Sequence, residues 1–257
     1  MKKIVILGNS AAGVKAAEII RASDQESEIS IFSFDGGLPA NRDLFPDFIA
    51  GALPYEEVLY RPKDFYTKSK INIMFDHSIS RINLKKNKIF CEDKSQIDFD
   101  VLLITETPEP RFPDIRGANK QGVFSCYRLS AINEIIKTIP LVENIVIQSD
   151  TFYGLRIASA LSRKGKEVVL VTSHAHLLSP YLDLEGAQFV MKALESKGLG
   201  VMTGATISEI LGDGEAKAVR LTSGKVIAGD MVIFAETAED LRLFSDSSLE
   251  LGKKILA

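Results

Sequence analysis

Residues 8–13, Gly-Asn-Ser-Ala-Ala-Gly, have the types and the spacing that cradle a phosphate. Gly8 permits a tight turn, and a small residue at Ser10 lets the backbone come close to a pyrophosphate. Gly13 lets a following helix pack closely on the preceding strand. Ala11 and Ala12 lie where that helix would begin, offering free N–H groups and a partial positive charge to an anion. The spacing is a G-x-S-x-x-G version of the dinucleotide fingerprint.

Such a turn works only if a strand and a helix hold it. Ile4 to Leu7 is a continuous apolar run, as in a strand buried on both faces of a parallel sheet. From Ala11 the spacing becomes helical, with Val14, Ala17 and Ile20 on one face. The stretch 27–35, SEISIFSFD, reads as the second strand. Its expected ribose-binding acid position holds Ser33, and Asp35 follows two residues later. The strand–turn–helix–strand context favours a bound dinucleotide over a bare Rossmann-like unit.

The plan recurs after Glu143. NIVIQ (144–148) reads as a strand, YGLRIASALSRKG (153–165) as a helix ending at Gly165, and KEVVLV (166–171) as the next strand. The intervening turn is Ser149-Asp150-Thr151-Phe152-Tyr153-Gly154. Only the last fingerprint glycine remains, Thr151 adds bulk, and Asp150 adds a negative charge beside a phosphate site. The next strand is followed by Thr172 in place of an acid. This copy is expected to have lost ordinary NAD affinity.

The 257 residues are 46% hydrophobic and 25% charged, with a formal net charge of −3. That is a globular composition without a basic stripe, so nucleic acid is not an expected partner. No run approaches a membrane span, and the early apolar run is too short for a secretory core. Cys91 and Cys126 make no disulfide framework or zinc site and fit a reducing cytosol. A soluble cytoplasmic protein is expected. His174 and His176 read as solvated loop residues and His77 as structural, so no metal site is expected. ETPEPRFPDIRG (106–117) reads as a linker, and LGDGEAKAVRL as a hairpin. AETAEDLRLFSDSSLE (235–250) carries Leu241, Leu243 and Phe244 opposite its acids; it reads as a cover for the open end of the second sheet or a partner contact.

These stretches, in order, resemble the FAD-dependent pyridine nucleotide–disulfide oxidoreductase superfamily. The branch in view contains NADH oxidases, rubredoxin reductases and the flavin part of nitrite reductases. The resemblance runs through IVILGNSAAGVKAAEIIR, then residues 59–104, GVFSCYRLSAINEI (122–135), residues 164–210 and KVIAGDMVIFA (225–235). It implies an α/β fold: two Rossmann-like, FAD/NAD(P)-binding, three-layer domains with small antiparallel β additions. The expected division is 1–108, FAD-binding-like, and 109–257, NAD(P)-binding-like with a degenerate nucleotide turn.

Carried over residue by residue, the resemblance implies FAD contacts at Gly8, Ser10, Ala11, Ala12 and Gly13. Asp35 matches an acidic position near the adenosine ribose. Arg42 matches an arginine close to the flavin and phosphates, and Ile79 a position whose backbone meets the adenine. FAD and NAD(P)H are the implied cofactors, and a redox partner protein or a homo-oligomer the implied partners. No catalytic side chain is expected: Asp43 stands where some relatives carry a redox cysteine. The family's A-T-G-type turn reads Thr105-Glu106-Thr107, with its glycine lost and a carboxylate added. The Gly-Asp turn that the family places beyond LELGKKILA is expected to be missing from this chain's FAD pocket. Two functions stay open: an FAD-dependent NAD(P)H oxidoreductase, or a non-catalytic relative serving as scaffold, nucleotide sensor or subunit of a larger redox complex.

Overall fold

The computed structural model describes residues 1–34, 37–75, 79–106, 112–236, 241–245, 247, 249–251 and 255–256. Asp35, His77 and residues 107–111 of the expected linker lie outside the described residues.

The chain opens with β1 (Lys3–Leu7), α1 (Ala11–Ser23) and β2 (Glu28–Phe32). Short helices α2 (Phe45–Ala50), α3 (Tyr55–Val58) and α4 (Phe65–Lys68) follow. Then come β3 (Ile71–Met74), β4 (Ile79–Asn83), β5 (Lys88–Cys91), β6 (Gln96–Asp98) and β7 (Val101–Ile104). The next stretch holds β8 (Val123–Ser125), α5 (Leu129–Thr138), β9 (Asn144–Gln148), α6 (Phe152–Ser162) and β10 (Glu167–Val171). After it come α7 (Leu184–Glu195), β11 (Leu199–Met202), β12 (Ile207–Leu211), β13 (Ala218–Leu221), β14 (Val226–Ala228) and β15 (Met231–Phe234). A hairpin of β16 (Glu250–Leu251) and β17 (Ile255–Leu256) ends the described chain.

Two units form. The first gathers Met1–Asn41, Tyr55–Arg111 and Glu239–Ala257; the second gathers Arg42–Pro54 and Phe112–Ala238. In the first, a parallel sheet runs β3-β2-β1-β7. The period of two along β1 divides its side chains between two layers. Ile6 packs with Val14 and Ala17 of α1, while Val5 and Leu7 pack with Ile82 and Ile89 of the antiparallel sheet β4-β5-β6. The three layers are therefore helix, parallel sheet and antiparallel sheet.

Phe244 is fully buried in that second core, with Leu241, Leu243 and Leu249 packed against it. This corrects the expectation for 235–250: its apolar side covers the first unit, not the open end of the second sheet. Amphipathicity told that the segment had a face to bury, but not on which sheet.

Arg21, in the last turn of α1, is buried and donates to the carbonyls of Ser69, Asp24, Ser27 and Lys70 at 2.8–3.1 Å. Its planar fork ties the end of α1 to the starts of β2 and β3.

The second unit repeats the architecture with one more strand. Its parallel sheet runs β11-β10-β9-β15-β8. The antiparallel sheet β12-β13-β14 closes over it, with Val146, Val171, Val232 and Phe234 meeting Ile207, Ile210, Val219 and Leu221. The hairpin read in LGDGEAKAVRL is the β12–β13 pair, with Leu211 opposite Ala218. α2 packs on α5 and α6. Among the described residues no helix is long and apolar enough to cross a membrane.

Candidate functional site

In both parallel sheets the strand order reverses at the first strand of the repeat: β1 lies between β2 and β7, and β9 between β10 and β15. A crevice at such a reversal, beyond the carboxyl ends of the strands, is where an open α/β sheet receives a ligand. The turns at 8–13 and 149–154 sit at these two places.

The first turn is tight and its outer side is open. Gly8 has φ +108° and donates its N–H to the Phe32 carbonyl at 3.1 Å. A Cβ on Gly13 would fall on the Gly8 carbonyl oxygen and lie 2.9 Å from Thr105 Oγ1. The glycine thus allows the close helix–strand approach expected of it. Ser10 caps α1, its Oγ accepting from the Gly13 N–H at 3.4 Å. Ala11 and Ala12 are exposed at the helix start, where the first N–H groups have no intrahelical acceptor. Thr105 closes the back of the turn, its hydroxyl donating to the Leu7 and Gly8 carbonyls at 3.0 and 3.2 Å.

Asn9 was missed by the sequence reading, which treated it as a spacer. It is 7% exposed. Its Nδ2 donates to the Gly37 carbonyl at 2.7 Å, which fixes the amide's orientation. Its Oδ1 is buried without a hydrogen-bond partner among the described residues. An orphaned acceptor at the end of β1 is costly unless a ligand donor meets it. Together with the open helix start and the glycine-only contacts, it makes this turn fit a dinucleotide.

The remaining expected site residues are more dispersed. Asp35 lies outside the described residues. Ser33, in the ribose-acid position, is buried at the end of β2 and donates its hydroxyl to the Gly37 carbonyl at 2.9 Å. Ile79 opens β4 opposite Cys91 and is half-buried against the first unit's core. Arg42 belongs to the second unit, its guanidinium 3.4 Å from the ring centroid of Tyr127.

The second turn has the same backbone plan and a different filling. Ser149 donates its N–H to Val171 as Gly8 does to Phe32, and Thr151 caps α6 as Ser10 caps α1. Here the side chains turn inward. A Cβ on Gly154 would meet the Ser149 side chain; in the first turn Gly8 has no side chain, and Glu106 Cβ lies where one would stand. Glu236, just past β15, places its carboxylate on the turn. Ser149 Oγ donates to its Oε1, as does Thr151 Oγ1 at 2.6 Å, and the Asp150 N–H donates to Oε2 at 2.9 Å.

The Asp150 carboxylate is directed to the end of β10. It accepts from the Thr172 hydroxyl, from the Ser173 N–H at 2.9 Å and from the Ser173 hydroxyl at 2.6 Å. Burial would raise its pKa, but the bonds from Ser173 and Thr172 outweigh burial and lower it. The carboxylate bonded to the donors of this turn is thus Glu236, for which the sequence pattern gives no direct signal. A pyrophosphate does not fit the second turn as it stands.

Cys126 is fully buried, and burial pushes its thiol up to about 12, so it offers no thiolate at neutral pH. Among the described residues no group of three or more His, Cys, Asp or Glu is placed to hold a metal ion.

Comparison with known proteins bears on both turns. A sequence model described as pyridine nucleotide-disulphide oxidoreductase matches residues 2–254. An NADH oxidase of Methanocaldococcus jannaschii is 27% identical over 98% of this chain and 58% of its own length. A rubredoxin-NAD(+) reductase of Ectopseudomonas oleovorans is 26% identical over 98% of this chain and 66% of its own. The crystal structure of a ferredoxin reductase for the CYP199A2 system of Rhodopseudomonas palustris superposes with a TM-score of 0.89 at 18% identity. That match covers 99% of this chain and 64% of the reductase. The chain thus spans about two thirds or less of the length of these relatives.

Proposed function

The chain belongs to the pyridine nucleotide-disulphide oxidoreductase family, and on that premise we propose that it is a flavoprotein holding FAD on the turn 8–13. Its members bind FAD and NAD(P)H. The proposed role is passage of electrons between NAD(P)H, or a redox partner protein, and an acceptor. Relatives named as rubredoxin and ferredoxin reductases support a partner protein. Two free cysteines fit a reducing, cytoplasmic setting.

The observation that carries this reading is the first turn. Its glycines sit where side chains would collide with the backbone or its nearest neighbours, and its helix start is open. Bound FAD would supply the hydride and electron chemistry. The chain's own residues would bind and orient it. Ala11 and Ala12 would present N–H groups to the pyrophosphate, Gly8 and Gly13 would permit its approach, and Ser10 would keep the helix start in place. Asn9 Oδ1 would accept a donor from the ligand. Asp35, Arg42 and Ile79 are proposed as further FAD contacts on the resemblance alone.

The second turn favours a second reading. A chain whose own carboxylate fills its NAD(P) turn also suits a non-catalytic subunit or nucleotide sensor. The absorption spectrum of the purified protein, before and after FAD and then NADH under argon, separates the two. A flavin band bleached by NADH is the result expected of a reductase. A flavin band that NADH leaves unchanged assigns a carrier fed by a partner. No flavin uptake overturns the FAD assignment and leaves the non-catalytic reading.

A further inference from the structure

We propose that Glu236 is a built-in occupant of the second nucleotide turn, so that a pyrophosphate-bearing ligand binds there only by displacing it. Three observations carry this. Both carboxylate oxygens are engaged by the turn, through the Ser149 and Thr151 hydroxyls and the Asp150 N–H. Two further donors of the turn are committed internally: the Thr151 N–H to Ser149 Oγ at 3.1 Å, and the Gly154 N–H to Thr151 Oγ1 at 3.5 Å. The carboxylate thus places a negative charge on the turn just ahead of α6, on the side from which a phosphate would approach the helix start. Third, Glu236 itself is exposed to solvent. Withdrawing it into water leaves no buried charge behind, so it is displaceable in a way that a buried ion pair is not.

Ser149 and Thr151 have a defined part in this. With glycine at those positions the turn would offer only backbone N–H groups, and Glu236 would lose two of its three donors. The substitutions that remove the fingerprint glycines are the same ones that hold the glutamate. Residues 149, 151 and 236 together set the specificity of the second unit against dinucleotides, and Glu236 carries the opposing charge. This inference does not depend on FAD occupying the first turn.

The test is titration of the full-length protein with NADH, followed by nicotinamide fluorescence, for the natural chain, Glu236→Ala and Glu236→Gln. Glu236→Ala is expected to tighten NADH binding by on the order of tenfold, as one charge-assisted occupant is lost. Glu236→Gln, which keeps an acceptor but loses the charge, is expected to fall between. Inorganic pyrophosphate is expected to compete for the gained affinity. Unchanged affinity in both variants overturns the proposal, and so does a gain that pyrophosphate does not compete away. If Glu236→Ala does not fold, the near-isosteric Glu236→Gln decides alone: unchanged NADH affinity in it overturns the proposal. The readout is binding rather than turnover, so it stands whether or not the flavin assignment holds.

Discussion

Glu106 and Glu236 occupy the same place in the two repeats. Each lies two residues past the residue paired with the end of its repeat's first strand, Ile104 opposite Leu7 and Phe234 opposite Gln148. The residues before them match as well, Thr105 donating its N–H to Leu7 and Ala235 to Gln148. The difference lies across the sheet. Gly8 has no side chain and lets the Glu106 backbone and Cβ press against the turn, whereas Ser149 reaches out and bonds Glu236.

Gly13→Val is expected to abolish FAD uptake and to destabilise the first unit by about 2–3 kcal/mol, the range of an overpacked contact that backbone cannot relieve. Its new carbons would fall on the Gly8 carbonyl and on Thr105 Oγ1, drawing α1 off β1. Flavin absorbance after incubation with FAD, with a thermal melt alongside, checks it. A variant that retains flavin would mean the turn is not the FAD site.

Asp150→Ala is expected to cost about 1–3 kcal/mol rather than to open the second turn, because it strips the fully buried Thr172 of its hydroxyl's partner. Asp150→Asn should cost less, since an amide oxygen still accepts from Ser173. Urea melts of the two variants give the order. An Asp150→Ala protein as stable as the natural one would show the loop to be held by other bonds.

Much of this could be read directly from the residues, and the reasons are local. Ile4–Leu7 and Asn144–Gln148 declare strands by their apolar runs, and the helical spacing from Ala11 declares α1. Glu236 was not legible, because its partners lie 85–87 residues earlier and meet it only when β15 inserts beside β9. A faint signal exists: Ala235-Glu236-Thr237 echoes Thr105-Glu106-Thr107 of the first repeat. Asn9 is silent in the sequence because the fingerprint accepts any residue at that position.

The Asp24 carboxyl is pushed down to about 2, first by the Ser27 hydroxyl and then by the Ser27 and Glu26 N–H groups. A folded value below the ordinary one stabilises the fold above pH ~3.9, and that stabilisation is lost as the pH falls through about 2. The difference in melting temperature between the natural chain and Asp24→Asn should therefore be largest near neutrality and close between about pH 4 and pH 2. The side chain is only half-buried, so the difference is small. A gap that persists unchanged to pH 2 would assign it to something other than this carboxylate's charge.

Phe244→Ala is expected to destabilise the first unit by about 3–5 kcal/mol, the cost of a large cavity in a packed core. Hydrogen exchange read residue by residue should show the loss at Val5, Leu7, Ile82 and Ile89, which share its cluster. Protection unchanged at those amides would place Phe244 outside the core.

The position of Phe244 also bears on how the molecule is made. The first unit's core holds Val5 and Leu7 but is completed by a residue that the ribosome adds only after the entire second sheet. During synthesis the early strands must wait, partly uncovered, while β8 to β15 emerge and close on one another. The inserted unit can reach its native state before the unit it interrupts.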